Sequence, residues 1–162
     1  MFGLFKKKTP VEVTTVVEGT VKALETVSDP VFAQGIAGRG VAVVPEGSTF
    51  YAPCDGTLTA VFPTGHAYGI QDEHGIEYLI HIGINTVTLK GEGFTPVVSQ
   101  GQKVKKGDKL VDVDLEVLKA HDISSDTMIL VSTAEEDCDL TLTKHDGDKV
   151  KVGDTIFTCH KK

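Results

Sequence analysis

The chain has 162 residues, 40% of them hydrophobic and 24% charged, with 17 glycines and a formal net charge of -7. This is the composition of one compact globular domain; it excludes a disordered or collagen-like chain, and the negative charge argues against a nucleic-acid binder, which would present a basic face to phosphates. The three cysteines, Cys54, Cys138 and Cys159, are odd in number and form no CxxC pair, so a reducing cytosol is a simpler home than an oxidising compartment.

At the start of the chain, Phe2, Leu4 and Phe5 precede Lys6, Lys7 and Lys8. The stretch is too short for a secretory signal, and nothing later approaches the ~20 apolar residues of a membrane span. It suits a frayed terminus or a segment that makes weak contact with an anionic membrane surface. Residues 1–14 are therefore expected to form a flexible, membrane-touching N-terminus ahead of a single domain at 15–162. Strand-like runs follow in order: VEVTTVV, VAVV, GTLTAVF, EYLIHIGI, DKLVDVD, MILVS, LTLT and DTIFTC. They are rich in Val, Ile, Thr and Phe and are separated by Gly, Asp and Pro. Two helical turns are expected, at 30–36 after the cap Asp29 with Pro30 at the first helical position, and at 115–121 after Asp114.

Two internal repeats organise these runs. GQKVKKGDKLVDV at 101–113 matches GDKVKVGDTIFTC at 147–159, and VVEGTVKAL near Gly19 matches PCDGTLTAV near Gly56. Each unit reads as strand, glycine-dependent turn, strand. The expected fold is all-β: an antiparallel β-sandwich of the duplicated hybrid-motif, or barrel-sandwich, type with short helical turns. Biotinyl and lipoyl carrier modules share that order of turns. They need an exposed lysine at a hairpin tip, and here none lies between twin methionines or in an Asp-Lys-Ala tip.

Chemistry concentrates between Phe62 and Phe94. His66 and His81 each sit beside a glycine and an apolar strand, and an antiparallel hairpin brings residues at this spacing together. His81 stands out because it interrupts the apolar run YLIHIGI, where an imidazole is costly unless hydrogen-bonded. His74, His121, His145 and His160 are assigned no role. A histidine pair serves metal ligation, acid–base catalysis or phosphoryl capture on a ring nitrogen. Metal ligation calls for a third protein ligand, which no neighbouring Cys, Asp or Glu supplies from the spacing alone. Phosphoryl capture needs a neutral imidazole oriented through its other nitrogen, with donors around the phosphoryl oxygens. His66 and Thr64 are suitable donors, and the residues alone leave the three uses open.

The segments DPVFAQGIAGRGVAVVP, FYAPCDGTLTAVFPTGHAYGI, LIHIGINTVTLKGEGF and VKKGDKL, in this order, resemble the glucose-class IIA proteins of the bacterial sugar phosphotransferase system. The resemblance covers about residues 15–160. Its most specific feature is T-x-H-A followed by H-[IF]-G-I-[DN]-T-V. It implies a phosphotransferase component, a histidine phosphoryl carrier, with His81 accepting the phosphoryl group from phospho-HPr and donating it to a cysteine on a sugar-permease IIB domain. It further implies that His66 supports the group and serves onward transfer, that Thr64 orients His66, and that Gly83 keeps its place beside the active histidine. No metal or nucleotide cofactor is implied.

The implied partner-binding surface is an apolar depression with an acidic rim, matched at Val31, Phe32, Ile36, Phe62, Gly83 and Val87, with Asp29 on the rim. Asn85 stands where the family usually carries Asp, as in IIA domains fused to β-glucoside or sucrose-type permeases. Loss of one rim charge alters association rate and salt dependence before it abolishes binding. The resemblance also implies regulatory contacts for some members and a cytoplasmic location, transiently at the inner face of the membrane. The alternatives are a lipoyl- or biotinyl-like carrier module and a zinc peptidase of the lysostaphin type. The peptidase would need an H-x-H pair, and the sequence reads His81-Ile82-Gly83. Two imidazoles, His66 and His81, with one carboxylate supplied by a partner would also complete a weak zinc site.

Overall fold

The computed structural model of the chain describes residues 9–162, so the expected membrane-touching segment 1–8 lies outside the described residues. The strands are, in order, β1 (Val11–Thr14), β2 (Gly19–Ala23), β3 (Arg39–Pro45), β4 (Thr49–Tyr51) and β5 (Gly56–Val61). They continue with β6 (Ala67–Gln71), β7 (Glu77–Ile82), β8 (Phe94–Pro96), β9 (Lys103–Val104) and β10 (Lys109–Val113). The last four are β11 (Thr127–Val131), β12 (Cys138–Leu142), β13 (Lys149–Val150) and β14 (Thr155–Lys161). Two short helices join them, α1 (Pro30–Ala33) and α2 (Leu115–Ala120). Asp29 and Asp114 cap these helices by accepting the amides of Val31 and Glu116, which satisfies one otherwise orphaned donor in each.

Every strand pair among the described residues is antiparallel. The large sheet runs β13-β2-β3-β11-β7-β6-β5-β9; two three-stranded sheets run β1-β14-β12 and β4-β10-β8. Alternation along the strands sends Val21, Val43, Tyr68, Ile80, Ile82 and Ile129 into one core. Val13, Phe50, Leu110, Phe157 and Cys159 of the small sheets join them, so the molecule is an antiparallel β-sandwich. The opposite face of β3, β11 and β7 is covered by residues 24–37. There Leu24, Val27 and Phe32 pack on Ala42, Met128 and Leu130.

Among the described residues the first strand, β1, begins at Val11, four residues before the boundary at residue 15 read from the sequence. Alternation explains the difference: Val11 and Val13 pair with Cys159 and Phe157 of β14, and Val13 is fully buried. The repeats appear as matching strand pairs. β13 meets β2 through Lys149 opposite Thr20 and Val150 opposite Gly19, while β9 meets β5 through Lys103 opposite Thr57 and Val104 opposite Gly56. The Gly147 amide donates to the Val21 carbonyl as the Gly101 amide donates to that of Leu58.

Gly19 and Gly56 are matched in their constraint as well. A Cβ on Gly19 would overlap the carbonyl oxygen of Val44, and one on Gly56 that of Gln71, so neighbouring backbone passes too close for a side chain. Gly19→Ala and Gly56→Ala are each expected to destabilise the fold by about 1–3 kcal/mol, the usual cost of overpacking. Urea unfolding measures this, and unchanged midpoints would contradict the duplicated architecture.

Candidate active site

β6 and β7 form a hairpin in which Ala67 stands opposite His81, and the Ile82 amide donates to the carbonyl of His66. The hairpin therefore brings the two imidazoles together, with ring centroids 5.1 Å apart and planes at 78°. Along β7, Tyr78, Ile80 and Ile82 fill the sandwich core while Glu77, Leu79 and His81 alternate to the other face. This alternation resolves the cost of a histidine in an apolar run. His81 is half-buried, and the ring of Phe32 rests on it with centroids 4.9 Å apart.

Nδ1 of His81 lies 2.9 Å from the carbonyl oxygen of Gly83, an acceptor that only an N–H can serve. Hence Nδ1 carries the proton and Nε2 carries the lone pair. Burial lowers the pKa of His81, opposed by the Gly83 hydrogen bond and by the nearby charge of Asp29. Gly83 has a φ of 79°, and a Cβ there would run into Thr86, so glycine is what allows the chain to turn its carbonyl back on His81.

His66 is only 3% exposed. Its Nδ1 lies 2.6 Å from Thr64 Oγ1, and Phe62 meets the ring edge-on at 5.6 Å. Burial, and then the neighbouring His81, lower its pKa to about 4. Both imidazoles are accordingly uncharged near neutral pH, which suits one to attack and the other to donate a hydrogen bond.

The residues expected at a docking surface divide into two groups. Val31, Ile36, Phe62 and Val87 are exposed, Ile36 at 70%, and come from the three segments that border the histidines. Phe32, at 7% exposure, and Gly83 are buried: one supports the His81 ring from beneath and the other holds its Nδ1, so neither lies on the outer face. Asp29 caps α1 beside His81, and Asn85 is exposed with a φ of 64°, a left-handed conformation that Asn tolerates well. Sequence reasoning missed Ser124 and Asp126, whose carbonyls accept the amides of Ile84 and Gly83, and Lys22, which pairs with Asp126; they are too far from Gly83 in the chain for any spacing to reveal.

The family model for the phosphoenolpyruvate-dependent sugar phosphotransferase system, EIIA 1, matches residues 11–137. The chain belongs to this family. It is 38% identical over 157 residues to the glucose-specific EIIA component of Haemophilus influenzae, covering 96% of this chain and 92% of that protein. It is 45% identical over 124 residues to the glucose-specific EIICBA component of Streptococcus pneumoniae, where the match spans 76% of this chain but only 17% of the much longer relative. Among solved structures, the glucose permease IIA from Mycoplasma capricolum superposes with a TM-score of 0.85 at 38% identity, covering 93% of this chain and 96% of that one. The chain is thus a phosphotransferase component that carries phosphoryl groups on histidine. The peptidase and lipoyl-carrier readings find no support: the match is to another family, and among the described residues no three His, Cys, Asp or Glu side chains converge as metal ligands.

Because the folded pKa of His66 lies below the unfolded value near 6.5, the unfolded chain takes up this proton first. Its contribution is present in full above pH 6.5 and is lost as pH falls toward 4, a total on the order of 3 kcal/mol. Between pH 7.5 and 4.5, the His66→Gln protein should lose about 2 kcal/mol less than the wild type in urea unfolding. Equal losses would contradict the buried, neutral His66.

Proposed function

We propose that Nε2 of His81 is the atom that accepts the phosphoryl group from phospho-HPr and passes it to a cysteine on a sugar-permease IIB domain. The observation that carries this reading is the hydrogen bond from His81 Nδ1 to the Gly83 carbonyl, which leaves the Nε2 lone pair as the nucleophile. In the first step an Nε2–P bond forms as the bond between phosphorus and HPr breaks; in the second the phosphoryl group leaves Nε2 for the acceptor sulfur. With the Thr64 hydroxyl donating to Nδ1 of His66, Nε2–H of His66 is free to donate to a phosphoryl oxygen. That donor gains strength as negative charge develops beside it in a poorly hydrated site.

Docking falls to Val31, Ile36, Phe62 and Val87, which are exposed around the histidines, with the carboxylate of Asp29 beside them. Apolar contact supplies the affinity of a small, transient interface, and charge supplies the rate of encounter. The glucose-specific relatives support a sugar of that class as the downstream cargo. Asn85, lacking the usual charge, bears on which permease is preferred. The pattern of Phe2, Leu4 and Phe5 ahead of three lysines supports a cytoplasmic protein that touches the inner face of the membrane while it serves the permease.

Incubation with phosphoenolpyruvate, enzyme I and HPr is expected to give an acid-labile, base-stable phosphate on the wild type and none on His81→Ala. His66→Gln should still accept the phosphoryl group and should pass it to a IIB domain 10²- to 10³-fold more slowly, the usual cost of removing one transition-state donor, to order of magnitude (~). Undiminished labelling of His81→Ala, read by intact mass, would overturn the assignment.

A further inference from the structure

We infer that the ion pair between Lys22 and Asp126 is a positioning device for His81, acting through the backbone of Gly83; the inference rests on the reading of His81 as phosphoryl acceptor. Lys22 Nζ lies 2.8 Å from Asp126 Oδ2, joining residues 104 positions apart in the chain. Asp126 ends the loop between α2 and β11, directly before Thr127, which stands opposite Ile82 of β7. Its carbonyl accepts the amide of Gly83 at 3.0 Å. Its own amide donates to Ser124 Oγ at 3.1 Å, and the Ser124 carbonyl accepts the amide of Ile84 at 3.0 Å. Two successive amides after β7 are thereby held by residues 124–126, and the carbonyl between them is the one that fixes His81 Nδ1.

Each link from Lys22 to the imidazole is a direct hydrogen bond, so displacement of the loop moves the acceptor that sets the tautomer. Lys22 anchors the loop to β2, across β3. The register places Lys22, Ala42, Met128 and His81 on one row of the large sheet, with only the small Ala42 on the strand between. Most exposed ion pairs contribute little. Here the Asp126 carboxylate is largely buried while Lys22 is about one-third exposed, so removing the lysine leaves a buried charge that must find water by moving its backbone.

Lys22→Met, Lys22→Arg and Asp126→Asn test the inference with two readouts. The 15N shifts of the His81 ring nitrogens at pH 8 report its tautomer without any phosphotransfer, and labelling by phospho-HPr reports function. The wild type is expected to show a single tautomer with the proton on Nδ1. Lys22→Met and Asp126→Asn should show a mixture and accept phosphoryl groups about tenfold more slowly, as small misplacements of a reacting group do; Lys22→Arg should recover both. An unchanged tautomer in both Lys22→Met and Asp126→Asn overturns the inference, whether or not the rate falls. A wild type that takes no label on His81 instead overturns the phosphoryl reading, and the tautomer comparison still decides the role of the ion pair.

Discussion

An imidazole has two nitrogens, and it becomes a directed nucleophile only when one of them is committed elsewhere. In this fold the commitment is the 2.9 Å contact of His81 Nδ1 with the Gly83 carbonyl, two residues ahead on the same chain. Such a short return requires a left-handed residue with no side chain, which Gly83 provides. It also requires that the turn after β7 be anchored from outside, since a carbonyl free to swing would not choose between tautomers. The amides of Gly83 and Ile84 are anchored on residues 124–126, and β7 itself lies between β6 and β11 in the middle of an eight-stranded sheet.

The electrostatics follow from the same placement. The rings of His81 and His66 have centroids 5.1 Å apart, one half-buried and the other buried, where two positive charges would be costly, and burial keeps both neutral. The Asp29 charge opposes burial only at His81. His66 thus remains uncharged until well below neutral pH, as the proposed role of a hydrogen-bond donor held by its 2.6 Å contact with Thr64 requires. In the proposed relay, a partner docked on the exposed Val31, Ile36, Phe62 and Val87 would cover the pair and exclude water during transfer.

Much of this was legible in the sequence, for identifiable reasons. The repeats at 101–113 and 147–159 carry enough turn chemistry to disclose matching strand–turn–strand units, and the caps Asp29 and Asp114 act locally. Strands β9 and β13, of two residues each, are too short to leave a periodic signal, and β6 reads weakly because Gly69 interrupts it. The histidine pair was visible as a hairpin spacing. The split between exposed Val31 and buried Phe32 was not, because a four-residue helix gives no reliable face. Lys22 and Asp126 were invisible because their pairing depends on sheet order, with β2, β3 and β11 adjacent despite their separation in the chain.

On the proposed reading, the phosphoryl group resides on Nε2 of His81 because the fold has occupied the other nitrogen of the same ring. Phosphorus–nitrogen coupling in the 15N-labelled, phosphorylated protein tests it directly. A single phosphorus signal coupled to Nε2 of His81, with the proton retained on Nδ1, is expected. Coupling to Nδ1 of His81, or to either nitrogen of His66, would contradict it.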